Sequence, residues 1–117
     1  MSELYMRMQP FLGDRTELLQ RMAGRLDLWE ECVLLFPKEE IIEEMDAAVK
    51  NGDETVLYGT VHRLKGNLAN FGFDGAALAA MELLAAIKNK ESLRIPELYA
   101  KLREAYIQII ERIGDEG

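Results

Sequence analysis

Apolar residues recur along this chain at intervals of three and four rather than two, and that spacing divides it into helices. Leu57, Val61, Leu64, Leu68 and Phe71 fall on one stripe at about 100° per residue. Near the C-terminus, Leu98, Tyr99, Leu102, Tyr106, Ile109, Ile110 and Ile113 form a similar face in a helix that Pro96 opens and that ends before Gly114. Between these two, Gly72-Phe73-Asp74-Gly75 gives a stop and a start, and AALAAMELLAAIKN is rich in strong helix formers. Leu78, Met81, Leu84, Ala85 and Ile87 are its expected core-facing side. Upstream, Ile41, Ile42, Met45, Ala48 and Val49 give one apolar face to a helix that Pro37 opens and Asn51-Gly52 closes, with Asp53 placed to cap the helix that follows. Leu28, Trp29, Cys32, Leu35 and Phe36 pattern a further helix entered through the capping box Asp27-x-x-Glu30. A short helix over about 16–23 stops at Gly24.

No segment alternates with period two, so the expected fold is all-α: an up-and-down four-helix bundle with additional short N-terminal helices, spanning residues 16–117. Residues 1–15 contain Pro10 and Gly13 and show no clear period. They read as a flexible lead-in, ordered only where Leu4, Phe11 or Leu12 packs.

Composition narrows the function classes. A chain of 117 residues supports one core and one domain. Fourteen Lys+Arg against 21 Asp+Glu give a formal charge of −7, which repels phosphate backbones and anionic lipid; no nucleic-acid partner and no membrane are expected. No apolar run approaches the roughly 18 residues of a spanning helix, and MSELYMRMQP lacks a signal peptide's order, so a cytoplasmic location is expected. Cys32 is the sole cysteine and reads as a small core hydrophobe.

The candidate chemistry sits in residues 61–73, VHRLKGNLANFGF. The one histidine of the chain, His62, lies well off the apolar stripe, and Gly59, Lys65 and Gly66 at i−3, i+3 and i+4 share its outward surface. Mid-helix glycine costs about 1 kcal/mol relative to Ala, so two of them beside an exposed imidazole imply a benefit from the missing side chains. One histidine and one cysteine without HExxH or CxxC exclude an ordinary zinc site. Ser2, Ser92 and Cys32 are not placed for a triad, and no phosphate-binding loop, GxGxxG or kinase signature is present. On spacing alone an exposed helical histidine is most often incidental.

The pattern H-x-x-K-G-x-x-x-x-x-G, here His62, Lys65, Gly66 and Gly72, resembles the signature of histidine-containing phosphotransfer (HPt) domains. AAVKNGD over 47–53 resembles the family's acidic turn before the acceptor helix, and ALAAMELLAAIKN resembles the helix after it; the likeness runs from about Leu26 to the final helix. It implies a phosphocarrier rather than an enzyme: His62 takes a phosphoryl group from a receiver aspartate and passes it to another receiver through Nε2, without ATP. Phosphoryl transfer asks mainly for positioning and charge neutralisation, and the resemblance implies that the receiver supplies the acidic pocket and Mg²⁺, so no cofactor is expected on this chain. A neutral imidazole nitrogen is available at cytoplasmic pH. Lys65 is placed to neutralise phosphoryl oxygens, or is a solvated surface residue. Gly59, Gly66 and Ala69 clear the docking ground, Asn67 and Asn70 either donate hydrogen bonds there or face solvent, and Gly72 ends the helix. GFDGAALAAMELL is similar to the phosphotransfer domain of chemotaxis-type histidine kinases, where the glutamate after Met contacts the acceptor; Glu82 therefore either orients His62 through Nδ1–H or is an ordinary surface glutamate.

The expected partners are receiver domains of response regulators or hybrid kinases, engaged by a monomer. Two alternatives stay open: a helical adaptor or inhibitor that binds a kinase or receiver without carrying phosphate, and a phosphotransfer domain labelled directly by a separate ATP-binding kinase domain.

Overall fold

The fold comes from a computed structural model, which describes residues 3–22, 24–35 and 39–114. Among the described residues there are seven α-helices and no strand: α1 Glu3–Met8, α2 Arg15–Arg21, α3 Leu26–Leu35, α4 Glu39–Asn51, α5 Glu54–Asn70, α6 Asp74–Lys88 and α7 Ile95–Gly114. The last four make the up-and-down bundle: α5 packs against both α4 and α6, and α6 against α7. The glycines expected at helix ends do that work, since Gly24, Gly52 and Gly72 take φ of +76°, +67° and +84°, values that side-chain-bearing residues rarely adopt. Asp53 caps α5 by accepting from the Val56 amide at 3.1 Å. No described helix is long and apolar enough to cross a membrane.

The core follows the sequence stripes closely in α5 and α7. Leu57, Val61, Leu64 and Leu68 are buried, as are Leu98, Tyr99, Leu102, Tyr106, Ile109 and Ile113. The edge between α4 and α7 is closed by a polar clasp. Arg103 donates from Nε and Nη2 to the two oxygens of Asp46, at 3.0 and 3.1 Å, and the Tyr99 hydroxyl donates to the same carboxylate. The Arg103 fork, and then the Tyr99 hydroxyl, hold the Asp46 carboxyl below the usual carboxylate range; burial and that carboxylate push the Tyr99 phenol up.

Three expectations are corrected. In α6 the helix turns its alanines inward: Ala76, Ala77, Ala79, Ala80 and Ala86 are buried with Leu83, Leu84 and Ile87, whereas Leu78 and Met81 are 55% and 52% exposed and Ala85 is exposed as well. α6 lies between α5 and α7, and small side chains let both neighbours approach. In α3 only Trp29 and Val33 are buried; Cys32 is half-buried, and Leu28 and Leu35 are exposed. Asp27 binds the Arg25 guanidinium at 2.9 Å rather than capping α3, which begins one residue earlier. Phe36 and Pro37 lie outside the described residues.

The segment expected as a lead-in contributes to the core. Leu4, Tyr5 and Met8 of α1 are buried, a helical face at i, i+1 and i+4. Tyr5 meets the Trp29 ring edge-on at 5.6 Å, and Arg7 donates to the carbonyls of Arg112 and Ile113, at 2.9 and 3.0 Å. Those carbonyls belong to the last turn of α7, which has no partners within its own helix. Pro10 and Gly13 dominate the sequence of this segment and hide a helix too short to show a period.

Candidate functional site

Helix α5 carries the site because its buried stripe fixes which residues face outward. With Leu57, Val61, Leu64 and Leu68 turned inward, His62 is exposed, and the helical period puts Gly59, Lys65, Gly66 and Ala69 around it. Apart from its chain neighbours and the backbone of its own helix, a Cβ built at either Gly59 or Gly66 would meet no heavy atom of the described residues within 4 Å. The ground on that side of the imidazole is therefore open, and the glycines are not needed for packing.

The imidazole makes no hydrogen bond among the described residues. Among the described residues its one ring neighbour is Tyr58, one turn back on the same helix, with centroids 6.2 Å apart and planes 21° from parallel. Tyr58 is itself half-buried against the core. Sequence reading passed over this residue, although its i−4 spacing places it under the histidine.

Two acids lie on the flanks. Glu44 of α4 meets the Arg63 guanidinium at 3.5 Å, and Arg63 also reaches the Thr60 hydroxyl at 3.5 Å. Glu82 is drawn away from the histidine: its Oε1 lies 3.5 Å from the Lys101 ammonium of α7. Of the two readings of Glu82, this ion pair accords with the surface glutamate, and no hydrogen bond joins Glu82 to the imidazole among the described residues. Lys65 has no ion-pair partner among the described residues and stands one turn beyond His62. Asn67 lies about 140° round the helix from His62, away from the imidazole. Asn70 and Ala69 both make further interactions within the fold. Gly72 ends α5 in a left-handed conformation under Leu12 and Leu18, a structural role.

The chemistry available is that of an imidazole held out on a rigid helix, with an ammonium one turn along and cleared ground beside it. Such a surface presents a nucleophile and supplies little else. A family model described as Hpt domain matches residues 38–112, from just ahead of α4 into α7 and well over half of the chain. No curated protein and no solved structure gives a significant match.

Proposed function

The chain belongs to the Hpt domain family, and from that premise we propose that it is a phosphorelay carrier in which His62 accepts a phosphoryl group from an aspartyl phosphate of one receiver domain and passes it to the aspartate of another. The Nε2 lone pair forms the bond to phosphorus as the bond from phosphorus to the aspartyl oxygen breaks. The carboxylate leaves with the electron pair, and Nδ1 holds its proton until solvent takes it. Passing the group on is the reverse exchange with a second aspartate.

The reading is carried by one observation, the exposed imidazole beside two glycine sites that are open to 4 Å. Positioning and charge neutralisation supply most of the rate in such transfers. The receiver brings Mg²⁺ and the acidic pocket, and Lys65 adds a point charge beside the phosphoryl oxygens. No ATP enters the reaction.

Incubating the chain with a phosphorylated receiver tests this. Acid-labile, base-stable label is expected on the chain and is abolished by His62→Gln. Label that survives the substitution would place the acceptor elsewhere. Receiver binding without label from a receiver or from a kinase ATP-binding domain would make the chain an adaptor instead.

A further inference from the structure

We infer that Tyr58 is a positioning residue for His62: its ring holds the plane of the imidazole so that Nε2 stays presented to the docking partner. The inference rests on the phosphocarrier reading and concerns how that site is kept in order. A solvent-exposed histidine on a helix ordinarily samples several side-chain rotamers, and each rotamer aims the ring nitrogens differently. Here the usual restraints on a histidine are missing, since no hydrogen bond reaches either nitrogen among the described residues and Glu82 is committed to Lys101. The glycines at i−3 and i+4 offer no wall.

What remains is the ring one turn back. Side chains on a helix lean toward its N-terminus, so the imidazole at position 62 lies over the turn that carries position 58. The two rings sit 6.2 Å apart and 21° from parallel, within the range of offset aromatic stacking. The pair is asymmetric in a useful way. Tyr58 is half-buried and packed on the core, so its orientation is set by the fold, and it passes that orientation to an exposed neighbour. Its hydroxyl makes no hydrogen bond among the described residues, so the ring face and not the oxygen performs the task. The role assigned to Tyr58 is thus exercised through His62.

Two variants, measured against the parent chain, separate positioning from packing. Tyr58→Phe keeps the ring, and Tyr58→Leu keeps most of the buried bulk without it. In single-turnover transfer from a phosphorylated receiver, Tyr58→Leu is expected to lower the maximal rate by about three- to tenfold while leaving half-saturation nearly unchanged, and Tyr58→Phe is expected to restore it. The second readout needs no phosphoryl donor. In the carbon–proton correlation spectrum the imidazole C–H signals are expected to carry ring-current shifts in the parent and in Tyr58→Phe, and to lose them in Tyr58→Leu. A Tyr58→Leu chain that transfers at the parent's maximal rate, equal impairment of the Phe and Leu variants, or imidazole signals that do not move would each overturn the inference. Were no variant labelled at His62, the phosphocarrier reading would fall, and the spectra would still decide whether Tyr58 orients the ring.

Discussion

Filling the two open sites on α5 separates what the glycines do for the fold from what they do for a partner. Gly59 and Gly66 lie inside a helix running from Glu54 to Asn70, and beyond that helix's own backbone a Cβ at either has nothing within 4 Å among the described residues. Alanine therefore meets no clash at either position and gains only its helix propensity, about 0.8–1 kcal/mol over glycine at each. The sites are seven positions apart, about 10 Å along the axis at 1.5 Å per residue, far enough for the effects to add. The double variant should be more stable than the parent by about 2 kcal/mol, which raises the melting temperature by roughly 8 °C in a chain of this size. Urea unfolding and calorimetry read that gain. The same variants are expected to take phosphoryl groups from a receiver more slowly, because each new methyl stands beside the imidazole on the ground the receiver must cover. A single variant less stable than the parent would refute the packing argument. A double variant that is stabilised and yet transfers at the parent's rate would refute the claim that the glycines serve access.

Other perturbations test the frame that holds α5. Gly72→Ala must place a side chain at φ +84° with its Cβ 3.3 Å from Leu18 Cδ1, and should cost about 1–2 kcal/mol in denaturant unfolding. Trp29→Phe removes the indole N–H that donates to the Phe71 carbonyl at 3.0 Å; a loss of about 1–2 kcal/mol is expected, with faster amide exchange in the last turn of α5. Asp46→Asn tests the clasp between α4 and α7. Because Arg103, then Tyr99, hold the native carboxyl below its ordinary value, the native state binds fewer protons than the unfolded one, and the stabilisation is present above about pH 4 and lost as pH falls through the depressed native value. Both side chains of the ion pair are about two-fifths exposed, at 42% for Asp46 and 41% for Arg103, so solvent screening limits the effect. The variant should melt roughly 2–5 °C lower at pH 7, and the gap should close as the pH is taken below 4.

The sequence was most legible where one face of a helix is apolar and the other is not. In α5 and α7 the stripes named the buried residues almost one for one, and the glycine stops landed at Gly24, Gly52 and Gly72. It was least legible in α6, where the outward Leu78, Met81 and Ala85 are as apolar as the inward alanines, so period alone cannot say which face is buried. α1 escaped notice because six residues are too few to show a period, although Arg7 and Tyr5 tie it to α7 and α3. Of the site, His62 with Gly59, Lys65 and Gly66 was readable from helical spacing. The partner of Glu82 was not: it depends on which flank of α6 meets α7, and that is a fact of packing rather than of order along the chain. Tyr58 stood at a readable spacing, but its role depends on ring orientation, which spacing does not give.

The charges of α5 and its neighbours bear on the phosphocarrier reading. The chain carries a net −7, and at ordinary ionic strength a charge beyond about 10 Å is largely screened, so the groups within a turn or two of His62 decide what the incoming anion meets. Glu44 engages Arg63 on the α4 side and Glu82 engages Lys101 on the α7 side, so these acids and cations are spent largely on one another. Lys65 has no such partner among the described residues. On the phosphocarrier reading it is the cation left to meet the phosphoryl oxygens, and it sits where a flexible stem can follow the group as it moves from receiver to imidazole. On that reading the histidine relies on a fixed ring, one nearby cation and room for the partner to bring the rest.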